Sequence, residues 1–165
     1  MRFFIDMDGV LCVWKPASGE EALYEKGFFA TMRPHQCAVE AVNEMISGGC
    51  DIYILSKYLE DGDFAFTEKN EWLDKQLPGI PEDHRIFVPH LADKSDYVPG
   101  GIQPTDVLLD DYTVNLREWE NSGGIAVKFM NGVNGTNGSW TGKRVGLDRS
   151  KIIRTLQAVA RDVYV

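Results

Sequence analysis

The sequence predicts a three-layer α/β fold: a doubly wound parallel sheet with a small insertion above it. Three observations predict this. Short apolar runs alternate with helix-period segments along most of the chain, as strands joined by crossover helices do. The runs are continuously apolar rather than alternating, as expected of strands buried on both faces. Two of them end in paired carboxylates, Phe3-Phe4-Ile5-Asp6-Met7-Asp8-Gly9-Val10 and Val107-Leu108-Leu109-Asp110-Asp111. The C-terminal ends of parallel strands form the ligand crevice, so both acid pairs fall where catalytic loops belong.

The elements follow in order. Residues 2–6 read as a short buried strand. Residues 12–36 mix Trp14, Tyr24, Phe28 and Phe29 with glycine and charge, and read as an excursion above the sheet. Over residues 37–48, Cys37, Ala38, Ala41, Val42, Met45 and Ile46 recur at helical spacing, and Gly48-Gly49 stops the helix. Residues 51–56 form the second strand, ending at Ser56. Residues 65–77 read as a helix with Phe66, Trp72, Leu73 and Leu77 on its apolar side, closed by Pro78-Gly79. Residues 85–88 form a third strand, 89–104 a loop, and 106–110 a fourth strand. A helix over 112–122 stops at Gly123-Gly124, and residues 125–129 form a fifth strand. Residues 131–142 hold four Gly and three Asn and read as a loop or turn region. An amphipathic helix over 149–162 turns Ile152, Ile153, Leu156, Val159 and Ala160 inward, with Asp148 or Ser150 as N-cap. There is no internal repeat and no low-complexity linker.

The length of 165 residues suits one domain with a proper core, residues 1–165, carrying the insertion at about 12–36. Apolar content of 44% and charged content of 25% are ordinary for a globular protein. A net charge of −8 argues against nucleic acid polymers and anionic membranes as partners, because phosphate backbones select basic surfaces. It leaves room for a small phosphorylated substrate, since a bound divalent cation can reverse the local field. Cys12, Cys37 and Cys50 are odd in number and lack paired spacing, which argues against a disulfide framework or a zinc site and fits a reducing compartment. No signal-like segment and no 18-residue apolar run is present, so a soluble, cytoplasmic protein is expected. The glycosylation sequons at Asn134 and Asn137 then read as chance matches in a turn-rich loop.

Asp6 and Asp8 stand at i and i+2 of a strand end, where both carboxylates can approach one reacting atom. One can attack phosphorus as a nucleophile. The other can protonate the leaving oxygen and later deprotonate water. Gly9 permits a tight backbone turn beside a phosphate. An N-terminal strand followed by a simple Asx turn would carry the same residues. Asp110 and Asp111 repel each other unless a cation lies near, and magnesium (Mg2+) takes oxygen ligands of this kind. Alternatively, the pair serves the start of the helix that follows. Ser56 at a strand end can hold a phosphate oxygen, or be a plain turn serine. Lys94 can neutralise a phosphoryl group, with Arg85, Lys57 and Lys69 as rivals. Trp14, Tyr24, Phe28 and Phe29 either form a lid that stacks on a ring or pack the excursion onto the body.

Asp6-Met7-Asp8-Gly9-Val10, a strand ending in Ser56, Lys94, and Asp110-Asp111 follow the order of the motifs of the haloacid dehalogenase (HAD) superfamily, which this chain resembles over residues 6–111. Gly27-Phe28-Phe29 through Met32-Arg33-Pro34, running into Ala38-Val39-Glu40-Ala41-Val42, is similar to the 5′(3′)-deoxyribonucleotidase family of cytosolic type. The resemblance implies that Asp6 is the nucleophile and Asp8 the acid/base. It implies magnesium on Asp6, the Asp8 backbone carbonyl and Asp110, with Asp111 supporting from close by. It also implies phosphate held by Ser56 and Lys94, and a base beside Trp14. The excursion is shorter than the family's helical cap, and Lys57 follows Ser56 where the family often has a small or polar residue. The expected activity is magnesium-dependent hydrolysis of nucleoside 5′-monophosphates, preferably deoxy, through an aspartyl phosphate. The alternatives are a phosphatase of another small metabolite, such as a sugar phosphate, and a non-catalytic nucleotide- or metal-binding protein. A receiver-like phospho-acceptor domain is more distant, because the Asp-x-Asp-Gly-Val arrangement is foreign to it.

Overall fold

A computed structural model describes residues 1–14, 20–133 and 139–161 of the chain. Six strands form one parallel sheet: β1 (Arg2–Ile5), β2 (Asp51–Tyr58), β3 (Arg85–Pro89), β4 (Val107–Asp110), β5 (Ile125–Met130) and β6 (Lys143–Gly146). Their spatial order is β3-β2-β1-β4-β5-β6. The order reverses between β1 and β4, which is the switch point where open α/β sheets bind ligands. Ile5 of β1 is in register with Leu109 of β4. The Asp6 amide also donates to the Leu109 carbonyl at 2.9 Å. The two acid-tipped strands are therefore neighbours, and their carboxylates open into one crevice.

Alternation along the strands divides the core in two. Phe3 and Ile5 of β1 face one side with Ile52, Ile54, Val107, Leu109 and Val127. On that side lie α1 (Gln36–Ser47), α2 (Ala65–Gln76) and α4 (Arg149–Arg161), contributing Val42, Trp72, Leu73 and Leu156. Phe4 faces the other side with Leu55 and Leu108, against Leu116 and Trp119 of α3 (Thr113–Asn121). The Phe4 and Trp119 rings lie 5.0 Å apart. Sheet and helices together make the expected three layers. Among the described residues no helix is long and apolar enough to cross a membrane.

Several boundaries differ from the sequence expectation. β2 runs two residues beyond Ser56, because Lys57 and Tyr58 pair with Val88 and Pro89. β6 is an element the sequence does not announce. Its four residues are Lys-Arg-Val-Gly with only Val145 buried, so the strand exists by pairing with β5 and has no apolar pattern of its own. A short 3-10 turn, Lys94–Tyr97, interrupts the loop before β4 and is capped by Asp93, whose side chain accepts from the Ser95 amide at 2.9 Å. Asp148 does cap α4, accepting from the Lys151 amide at 2.9 Å. Asn134 and Asn137, with the middle of the Asn/Gly-rich stretch, lie outside the described residues, as does residue 162.

The largest correction concerns α2. Phe66, expected on the apolar side, is 51% exposed. The inward face instead carries Ala65, Glu68, Lys69, Trp72 and Leu73. Two charged side chains point inward because each is fully engaged. Glu68 accepts from the backbone amides of Gly27 at 2.5 Å, Phe29 at 3.0 Å and Ala30 at 3.2 Å. Trp72 Nε1 donates to the Met32 carbonyl at 2.8 Å. At its other end the excursion is tied by the Val13 amide to the Arg33 carbonyl and by the His35 amide to the Leu11 carbonyl, both 2.7 Å. We expect Glu68→Ala to leave those three amides without their charged acceptor. The loss should be about 1.5–3 kcal/mol of stability, read by urea denaturation.

Candidate active site

Asp6 is buried directly after β1, and Asp110 is the fully buried last residue of β4. Lys94 joins them. Its ammonium donates to Asp6 Oδ1 and to Asp110 Oδ2, each at 2.7 Å, and the residue is 1% exposed. Asp110 also accepts from the Tyr112 amide at 2.7 Å and from Asn115 Nδ2 at 2.9 Å. The capping turn that begins at Asp93 delivers Lys94 to this point. Of the four cations weighed from the sequence, Lys94 is thus the one bonded to Asp6 and Asp110. Arg85 begins the edge strand β3 and is held by Asp74 at 2.8 Å and by the Ile80 carbonyl. Lys57 lines the crevice.

Asp111 is tied by Asn131, whose Nδ2 donates to Asp111 Oδ2 and to the Gly9 carbonyl, both at 2.8 Å. This amide clamps the loop after β1 to the end of β4. Gly9 is required there. Its φ is +83°, and a Cβ would lie 2.4 Å from Asp111 Oδ2. Gly9→Ala should therefore displace Asp111 and strain the backbone by about 1–2 kcal/mol. A lowered melting temperature would verify it.

Electrostatics follow from crowding. Burial raises the Asp6 carboxyl well above its usual range. Lys94 opposes this, and Asp110, Asp8 and Asp111 add to it. Asp111 is pushed up to about 7 by burial and by Asp110, against the pull of Asn131 and Lys94. Burial works against the Lys94 ammonium, but Asp110 and Asp6 outweigh it and raise the group above its ordinary range. Oxygens of Asp6, Asp110 and Asp111 lie within 4.8 Å of one another. Hard carboxylate oxygens gathered this closely form a donor set that suits magnesium. A dication there would favour the ionised forms that burial disfavours.

Asp8 lies on the other side of Asp6. Its Oδ2 accepts from Lys69 Nζ, and its Oδ1 accepts from the Cys12 thiol at 3.7 Å. Burial first, and Asp8 next, push the Cys12 thiol well up, so it remains a thiol. Ser56 is fully buried inside β2, where its Oγ accepts from Lys69 Nζ at 3.0 Å. Two cavities meet at Asp8, and Ser56 lines neither of them. One, about 270 Å³, is lined by Asp6, Asp8, Trp14, Lys57, Lys94, Asp111, Tyr112 and Asn115. The other, about 320 Å³, is walled by Trp14, Leu23, Tyr24, Phe29, Tyr58 and Leu59 and also reaches Asp8, Lys57 and His90. Asp8, Trp14 and Lys57 belong to both. Trp14 packs edge-on to Phe28 at 6.2 Å, and Phe28 to Phe29 at 5.1 Å. The aromatic residues of the excursion therefore pack together and wall a cavity at once.

Asn131 and Asn115 carried no sequence signal beyond their position just after β5 and one turn into α3, both at the crevice end of the sheet. Lys69, weighed as a rival for the phosphate, proves to hold Asp8. Its signal was a charge on the inward stripe between Ala65 and Trp72.

A family model described as 5′ nucleotidase, deoxy (pyrimidine), cytosolic type C protein matches residues 14–137. The match begins after Asp6 and Asp8 and takes in Ser56, Lys94, Asp110 and Asp111. No curated protein matches significantly. Among solved structures, the D,D-heptose 1,7-bisphosphate phosphatase of B. bronchiseptica, complexed with magnesium and phosphate, is similar with a TM-score of 0.66 and 16% identity. The match covers 96% of this chain and 99% of that one. The D,D-heptose 1,7-bisphosphate phosphatase of Burkholderia thailandensis gives 0.56 and 14%, over 99% and 97%. A hydrolase from Pseudomonas syringae gives 0.58 and 12%, over 97% and 100%. At these identities the likeness is one of fold.

Proposed function

Because this chain belongs to the cytosolic-type 5′-nucleotidase, deoxy (pyrimidine), family of HAD phosphatases, we propose that it hydrolyses nucleoside 5′-monophosphates, deoxyribonucleotides preferred, in a magnesium-dependent reaction. That it is a phosphoric monoester hydrolase follows from the family. The observation that carries the finer reading is the meeting of the two cavities. An acid- and lysine-lined cleft suited to a phosphoryl group shares Asp8, Trp14 and Lys57 with an aromatic-walled cavity of a size for a base and sugar.

Asp6 acts as the nucleophile. Its Oδ2 carries no hydrogen bond among the described residues, and Lys94 holds Oδ1. Attack on phosphorus forms the aspartyl–phosphate bond and breaks the bond to the ester oxygen, to which Asp8 gives a proton. Asp8 then takes a proton from water as water attacks the same phosphorus, releasing phosphate and Asp6. Lys94 uses two of its three N–H donors on Asp6 and Asp110, and the third serves a phosphoryl oxygen. Ser56 contributes its hydroxyl proton to the same group. Asp6, Asp110 and the Asp8 carbonyl would hold magnesium, supported by Asp111, and the ion when bound would supply Lewis-acid neutralisation of phosphoryl charge. Residues 12–36 serve as a small cap on a single domain, with Trp14 against the base. The cytosolic type in the family's description supports a cytoplasmic location.

The second reading is a phosphatase of another small metabolite. It draws support from the fold likeness to phosphatases of a heptose bisphosphate. A panel of deoxy- and ribonucleoside monophosphates and sugar phosphates, assayed for phosphate release with magnesium and with chelator, separates the two. Magnesium-dependent preference for deoxynucleotides is expected. Faster release from sugar phosphates would discard the nucleotide. Nucleotide binding without any turnover would favour a non-catalytic protein.

A further inference from the structure

Lys69 is fully buried on α2, yet its ammonium reaches the crevice from beneath. It donates to Asp8 Oδ2, to Ser56 Oγ at 3.0 Å and to the Lys57 carbonyl at 2.9 Å. An ammonium has three N–H donors, and here all three are spent on the protein. Lys69 therefore has none to give to a substrate oxygen, unlike Lys94. The Phe29 ring covers the ammonium, with its centroid 4.8 Å from Nζ. The adjacent Glu68 fixes Phe29 by accepting from its amide. The cation is thus locked from below by its helix, from above by the excursion and on its three donor axes by acceptors.

We propose that Lys69 is a positioning residue for the leaving-group step: it fixes the Asp8 carboxylate and the Ser56 hydroxyl so that Asp8 Oδ1 is the oxygen presented for proton exchange. This rests on the reading of Asp8 as the acid/base given above. With Oδ2 bonded to the Lys69 ammonium, Oδ1, which accepts only the weak Cys12 thiol donor at 3.7 Å, is the oxygen open to the ester. With three anchors on Nζ, its orientation is set before substrate arrives, and such preorganisation is what proton transfer in a transition state needs.

The leaving group discriminates this role from a merely structural one. An alkoxide such as a nucleoside 5′-oxygen needs a proton as it departs, whereas a nitrophenolate leaves as the anion. In Lys69→Met, kcat/KM, which reports the steps through departure of the leaving group and not the later water step that both substrates share, should fall by about 10²-fold for a deoxynucleoside 5′-monophosphate, within the range of general acid catalysis. For p-nitrophenyl phosphate the loss of kcat/KM should stay below about 10-fold. Circular dichroism and thermal melting establish that the variant is folded. Should it not fold, Lys69→Gln, which keeps an amide donor among the buried acceptors, carries the same comparison. Equal losses of kcat/KM on both substrates would overturn the proposal, as would failure of both variants to fold, since the role would then be structural. Asp8→Asn is run in parallel. If it shows the leaving-group dependence and Lys69→Met does not, the positioning role fails while the reading of Asp8 stands. If Asp8→Asn loses kcat/KM equally on both substrates, the reading of Asp8 as the acid for the leaving group fails.

Discussion

Asp6→Asn is expected to lower phosphate release by about 10⁴-fold or more while leaving the protein folded, because the reaction loses its nucleophile and not merely an aid to it. Asparagine fills the same volume, and Lys94 keeps its bond to Asp110. Burial already disfavours the charge on Asp6. Removing that charge should therefore leave the melting temperature equal to or above that of the unmodified protein. Activity and melting temperature measured on one preparation separate the two effects. An active Asp6→Asn protein would move the chemistry to another carboxylate.

Lys94→Met has the second largest expected effect, and it falls on stability as well as activity. Lys94 is the cation bonded to both Asp6 and Asp110, with Asp111 nearby in the same cluster. Breaking a buried charge pair by deleting one partner costs about 3–5 kcal/mol, because the remaining charges stay buried and unpaired. For a chain of this size that is a fall of roughly 10 °C in melting temperature. A divalent cation at the same oxygens would take over part of the neutralisation. Magnesium should then raise the melting temperature of Lys94→Met more than that of the unmodified protein. A variant as stable as its parent, and indifferent to magnesium, would mean that these acids are not electrostatically coupled through the lysine.

The two cases also mark what the sequence makes legible. Asp6 and Asp110 were visible because each ends an apolar run, and a run buried on both faces of a parallel sheet has no other way to look. Their adjacency follows from the strand order, which the sequence leaves open and the register of Ile5 with Leu109 settles. Lys94 was one cation among four, and it took the turn capped by Asp93 to single it out. Lys69 and Glu68 were harder still. On α2 a helical reading assigns the apolar face to Phe66, yet two charged residues occupy the inward stripe because acceptors and amides from distant loops converge on them. Asn131 acts across 122 residues of chain to reach the Gly9 carbonyl. Such partners come from tertiary convergence, which no local period encodes. β6 was missed for a related reason, since an edge strand with one buried residue is specified by its neighbour rather than by itself.

The central claim is that phosphate passes through Asp6. During turnover of a deoxynucleoside 5′-monophosphate with magnesium, the reaction can be quenched in acid and reduced with borohydride, which converts an aspartyl phosphate to homoserine. Peptide mapping then locates the modified position. Homoserine at position 6, absent when substrate or magnesium is withheld, is the predicted result. An unmodified Asp6 during steady phosphate release, or homoserine at Asp8 or Asp110 instead, would contradict the account.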